Sequence, residues 1–132
     1  MYLLDTNACI RFLNGRSQAL IEKLKKKDSD EILLCSIVKA ELFYGAHKSN
    51  NPSKSLKKQK EFCKKFKSLP FNDKAADVYG KIRSNLEKKG KIIGPNDLII
   101  ASIAVANKVT LVTHNTREFS RVADLNYEDW EE

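Results

Sequence analysis

Tyr2-Leu3-Leu4-Asp5-Thr6-Asn7 decides how this chain folds. The short apolar run delivers a carboxylate into a polar pair, so a strand ends at Asp5 and a helix starts at once. In an open α/β sheet that puts the carboxylate at the carboxyl edge of the strands, where ligands bind. Asp, Thr and Asn are also ordinary helix N-caps, so Asp5 by itself carries no chemistry. Only further carboxylates arriving at the same edge give it a second role.

Outward from that stretch, strands and helices alternate. Ala8 to Leu13 reads as a short helix with Cys9, Ile10 and Leu13 inward, stopped by Asn14-Gly15. Ser17 caps a second helix, with Leu20, Ile21 and Leu24 on its inner side and Lys25-Lys26-Lys27 at its end. Ile32-Leu33-Leu34-Cys35 is a continuous apolar run, the pattern of a strand covered on both faces. Ser36 caps the next helix, which runs through Val38, Leu42, Phe43 and Ala46 and carries Glu41 among apolar neighbours.

Ser53 to Ser68 reads as a lysine-dense helix with Leu56, Phe62, Cys63 and Phe66 inward, followed by an edge strand at Leu69-Pro70-Phe71. Asp73 caps a long amphipathic helix in which Ala76, Tyr79, Ile82 and Leu86 recur until Gly90. The turn at Gly94-Pro95-Asn96-Asp97 opens an apolar helix, Leu98 to Ala106. Val109 to Thr113 is β-branched and apolar, the clearest strand, and it ends in the polar stretch His114 to Phe119. Leu125, Tyr127 and Trp130 in the tail add a last short strand and an aromatic anchor.

Composition bounds the function. The 132 residues amount to one domain, 1–132, with 42% apolar and 31% charged residues, as in soluble globular proteins. No apolar run is long enough to span a bilayer and no signal-like stretch opens the chain, so the cytoplasm is the expected compartment. Cys9, Cys35 and Cys63 lack the paired spacing of a zinc or redox site and read as buried thiols. The net charge of +7 favours contact with a polyanion by counterion release and steering.

Alternating strands and helices argue a parallel sheet covered on both faces, with the segments that follow strands gathered at one edge. Asp5 ends the first strand, Glu41 lies in the helix after the second, Glu118 lies five residues past Thr113, and Asp97 opens a helix after the Gly94-Pro95 turn, so the four are expected to converge on one cleft. Clustered carboxylates raise one another's pKa and need compensation, which for an all-oxygen donor set means a hard divalent cation, Mg2+ or Mn2+. In a basic protein such a site suits phosphodiester hydrolysis. A haloacid-dehalogenase-like phosphatase wants a second aspartate where Asn7 stands, and a response-regulator receiver wants a lysine that Thr113-His114-Asn115 does not supply.

Four blocks carry a family resemblance: LLDTN at the start, AELFYGA around Glu41, IGPNDLIIA around Asp97 and LVTHNTREF before the tail. Together they resemble a PIN domain, and more narrowly the VapC ribonuclease toxins of type II toxin-antitoxin pairs. The resemblance implies a three-layer α/β/α fold with strand order 3-2-1-4-5. It implies a Mg2+- or Mn2+-dependent endoribonuclease acting on structured RNA, often tRNA. A VapB-like antitoxin, a toxin homodimer and larger toxin-antitoxin assemblies are implied as well.

Position by position, Asp5, Glu41 and Asp97 match the family's invariant acids, and Glu118 matches its fourth acidic position. Asp5, Asp97 and Glu118 are the expected metal ligands, with Glu41 completing the shell or orienting water. Thr6, Asn7, Thr113 and Asn115 match polar positions that orient the acids or touch substrate, while His114 replaces an expected Asn. Arg83 and Arg117 are expected to hold the RNA backbone. An antitoxin groove is expected near Phe43, Tyr44, Phe62 and Phe66, with a basic side chain sent toward the acids. The competing reading is a non-catalytic RNA- or protein-binding module. Glu41 or Asp97 standing far from Asp5 would end the enzyme reading and favour that one.

Overall fold

The computed structural model describes residues 1–132. β1 (Tyr2–Leu4) is the centre of a parallel sheet, pairing β2 (Ile32–Cys35) on one side and β4 (Thr110–Val112) on the other. Leu3 stands opposite both Leu33 and Leu111. β3 (Lys67–Leu69) flanks β2 and β5 (Tyr127–Glu128) flanks β4, which gives the order β3-β2-β1-β4-β5 expected from the resemblance.

Every residue of β2 is buried, as are Leu3, Leu4, Leu111 and Val112. Adjacent residues of a strand face opposite ways, so helices cover both faces and the fold has three layers, α/β/α. Between β1 and β2 lie α1 (Thr6–Leu13) and α2 (Gln18–Lys25), and between β2 and β3 lie α3 (Ser36–His47) and α4 (Pro52–Cys63). On the return path α5 (Asp73–Lys88) packs along α6 (Pro95–Asn107), and the short α7 (Thr116–Phe119) follows β4. α6 is apolar nearly all round and is accordingly swallowed by the core, with Ile100, Ala101, Ile103 and Ala104 fully buried.

The tail is anchored as expected. Trp130 is buried with its ring 5.1 Å from that of Tyr2, edge to face, and its indole N–H donates to Glu128 Oε1 at 3.0 Å.

Several local expectations need correction. α4 stops at Cys63, and the edge strand runs over Lys67–Leu69 rather than Leu69-Pro70-Phe71, because Pro70 has no N–H to continue the ladder that ends at Cys35 and Leu69. Asn72 rather than Asp73 caps α5, its Oδ1 accepting from Ala75 N at 3.1 Å, and this phase buries Ala75 and exposes Ala76. Cys35 occupies the N-cap of α3, so Ser36 is already helical. Ile10 is 38% exposed instead of inward, on the side of α1 that borders the sheet edge described next.

Candidate active site

Asp5 continues the ladder one residue past β1, its N–H donating to Val112 O at 3.1 Å, so its carboxylate rises at the carboxyl edge of the sheet. It is also the N-cap of α1: Oδ1 accepts from Ala8 N at 2.8 Å. The residue is only 4% exposed. That burial pushes its pKa up to about 6, against the Thr113 hydroxyl and the Ala8 N–H, which favour the ionised form, and with added repulsion from Glu131 and Glu41.

Glu41 reaches the same edge from α3, and Thr6, the first residue of α1, donates its hydroxyl to Glu41 Oε1 at 2.5 Å. Thr6 therefore ties the helix capped by Asp5 to the helix that carries Glu41.

Asp97 lies in the first turn of α6 and Glu118 in α7. Glu118 Oε1 accepts from Gly94 N at 2.6 Å, and Oε2 accepts from the Asn115 amide at 2.8 Å. Burial, the charge of Glu118 and a hydrogen bond between the two carboxyls push Asp97 up to about 7, with smaller contributions from Asp5 and Glu41. Burial alone would raise Glu118 too, but Gly94, Asn115, Asp97 and Arg121 outweigh it and hold that carboxyl low. Within the pair, Asp97 is pushed up and Glu118 is held down.

All four acids form one cluster, since Asp97 feels the charge of the other three. The condition that would favour a binding module, an acid standing apart from Asp5, is not met. No lysine or arginine forms an ion pair with Asp5, Glu41 or Asp97, and Arg121 alone compensates Glu118. An all-oxygen donor set with surplus negative charge fits a hard divalent cation.

The supporting residues divide. Thr113 accepts the Asn115 N–H at 3.0 Å while its hydroxyl serves Asp5, so the end of β4 steadies both sides of the cluster. Asn7 is exposed at the rim. Arg83 is tied along α5 to Glu87 at 3.1 Å and Tyr79 at 3.0 Å, and Arg117 is exposed without an ion pair. The cation beside the cluster is Arg121, which sequence reasoning missed. Its guanidinium also donates to Ile92 O at 2.9 Å. The i, i+3 spacing from Glu118 was the available signal.

The four aromatics do not share one groove. Tyr44 lies with Ile10, Ile37 and Glu41 along a depression of about 470 Å³ that leads to the acids. Phe62 and Phe66, their ring centres 5.2 Å apart, face a separate recess with Phe12, Leu24 and Ile32. Phe43 packs against the core with Lys60 over its ring, because α4 lies along α3 and separates the two sets.

The PIN-domain family model matches residues 2–125. Ribonuclease VapC2 of Rickettsia felis is 39% identical over 132 residues, covering 99% of this chain and 98% of that protein. The chain belongs to the VapC ribonucleases of the PIN-domain family. Another VapC, the tRNA(fMet)-specific endonuclease of Shigella flexneri, is 35% identical over 98% of this chain and 97% of its own length. The VapBC2 complex of Rickettsia felis, solved bound to a DNA fragment from its promoter, contains a chain that superposes with a TM-score of 0.91 over 98% of both chains. No helix of this VapC-family chain is long and apolar enough to cross a membrane.

Proposed function

We propose that this VapC-family ribonuclease is a Mg2+- or Mn2+-dependent endoribonuclease toxin, active in the cytoplasm on structured RNA, with tRNA the foremost substrate. The observation that carries the reading is the convergence of Asp5, Glu41, Asp97 and Glu118 on one sheet edge with no basic side chain to neutralise the first three. Asp5, Asp97 and Glu118 would hold the cation, and Glu41 would complete the shell or orient water. When bound, the cation supplies a lowered water pKa and offsets charge on the phosphoryl group and leaving oxygen.

The protein's own groups do the rest. The raised carboxyl of Asp97 would favour its neutral form without a cation, and a bound cation would favour the ionised form. Thr6 fixes the carboxylate of Glu41, and Gly94 and Asn115 fix that of Glu118. Replacing Asp5 with Asn and following cleavage of total tRNA with added Mg2+ or Mn2+ tests the reading. Undiminished cleavage by that variant ends it.

A VapB-like antitoxin is the partner proposed to silence the site. The depression beside Glu41, with Ile10, Ile37 and Tyr44 as apolar contacts, suits a peptide that sends an arginine to the acids, where it pairs bidentately. Such a peptide occupies the place of cation and substrate together.

A further inference from the structure

Sharing Asn7 and Ile10 of α1 with the depression beside Glu41 is a second concavity, about 490 Å³, whose polar lining is Asn7, Arg11, Asn14, Arg16, His114 and Asn115. Two of these connect it to the acid cluster. Asn7 also lines the depression beside Glu41, and the Asn115 amide is bonded to Glu118.

The C-terminal strap builds its wall. Glu131, whose side chain is 6% exposed, is ion-paired with Arg11 Nε. Asp129, at 8%, holds His114 Nδ1 at 2.9 Å, and its other oxygen accepts Glu131 N–H at 2.9 Å. The strap itself is pinned by the buried Trp130. Arg11 is engaged through Nε and makes no hydrogen bond from its terminal nitrogens, Arg16 forms no ion pair, and His114 keeps Nε2 for another partner. A cavity presenting two guanidiniums, an imidazole and three carboxamides is chemically an anion site with donors suited to nucleotides.

We infer that this bay is a subsite for the RNA backbone flanking the scissile bond, built by the C-terminal strap through Glu131 to Arg11 and Asp129 to His114. The inference rests on the ribonuclease reading for its ligand, a phosphodiester of the strand that enters the acid cleft. Arg11 and Arg16 are its phosphate contacts. Glu131 and Asp129 are positioning residues, which touch no substrate and fix the side chains that do. The donor atoms of His114, Asp129 and Glu131 also lie within 4.8 Å of one another. A cation there must displace the guanidinium of Arg11, so an anion is the better occupant of the wall as built.

The test is binding of full-length protein to intact tRNA in EDTA, where cleavage is suppressed, at several salt concentrations. Arg16→Ala is the primary variant, since its exposed side chain makes no ion pair. Lys88→Ala removes the same charge from the last turn of α5 and serves as control. Arg16→Ala is expected to weaken binding about fivefold to tenfold and to reduce the slope of log affinity against log salt by about 0.7 to 0.9, with Lys88→Ala changing neither. Glu131→Gln is expected to raise KM for tRNA cleavage without lowering kcat, and to add little on top of Arg11→Ala. Equal affinity and equal salt slope for Arg16→Ala and Lys88→Ala overturn the subsite. Failure of the wild-type chain to cut any RNA would instead remove the ribonuclease reading, while the binding comparison still reports on the bay.

Discussion

The backbone N–H of Gly94, immediately before the helix that carries Asp97, donates to Glu118 Oε1 at 2.6 Å, while the Asp97 carboxyl is itself hydrogen-bonded to Glu118. One carboxylate thus accepts both the start of α6 and the acid three residues into it. This couples the geometry of the α5 to α6 turn to the protonation of the cluster.

Stability follows from that coupling. Asp5 and Asp97 titrate near 6 and 7 in the native state against 3.8 when unperturbed. The native protein therefore binds more protons than the unfolded chain from about pH 4 to about pH 7, and its stability falls as pH rises through that window. Glu118, held low, has the opposite sign, and its contribution is lost only as pH falls below its ordinary value of 4.5. Thermal unfolding of metal-free protein is expected to show a higher Tm at about pH 5 than at about pH 8, with Mn2+ flattening the difference by favouring the ionised acids. A Tm that climbs across the window without metal contradicts the raised carboxyls of Asp5 and Asp97.

The cap and the charge of Asp5 separate by substitution. Asn is as good an N-cap as Asp, whereas Ala loses the bond to Ala8 N, at a cost of about 1 kcal/mol. Asp5→Asn is expected to unfold no earlier than wild type near neutral pH, because it removes a buried charge. Asp5→Ala should unfold earlier than Asp5→Asn, and both should lose cleavage. Equal Tm values for the two variants would show that the cap contributes nothing.

Thr6 is a positioning residue for Glu41. Thr6→Ala is expected to lower kcat for tRNA cleavage about tenfold to a hundredfold, as loss of an orienting partner in a metal site does. The half-buried hydroxyl bond contributes only about 0.5 to 1.5 kcal/mol to folding. Thr6→Ser should restore most of the rate. A Ser variant as slow as the Ala variant would assign the effect to the methyl group and its packing.

Sheet order and the converging acids were legible from the chain because a parallel sheet leaves little freedom: whatever follows a strand sits at its carboxyl edge. Asp5, Glu41 and Glu118 needed only that rule, whereas Asp97 opens α6, which follows α5 and not a strand, and was placed by the Gly94-Pro95 turn and the family resemblance. Apportioning Asp5 was less direct. The chain offers Asp5, Thr6 and Asn7 as caps, and the structure gives the cap to Asp5, whose Oδ1 accepts from Ala8 N. Ile10 and Ala76 fall off the buried stripes because helical periodicity fixes the spacing of a stripe and not the residue that starts it: Ala8 and Cys9 are buried in α1, and Ala75, Ile82 and Leu86 in α5. Arg11 with Glu131 joins positions 120 residues apart, and no local pattern encodes such a pair.

The central claim is that the acid cluster is a divalent-cation site. Isothermal titration of Mn2+ into EDTA-stripped wild-type protein near neutral pH tests it most directly, beside Asp5→Asn and Asp97→Asn. Saturable binding by wild type, with proton release and loss of the binding in both variants, is the predicted result. Equal Mn2+ binding by all three proteins, or none by wild type, contradicts the account.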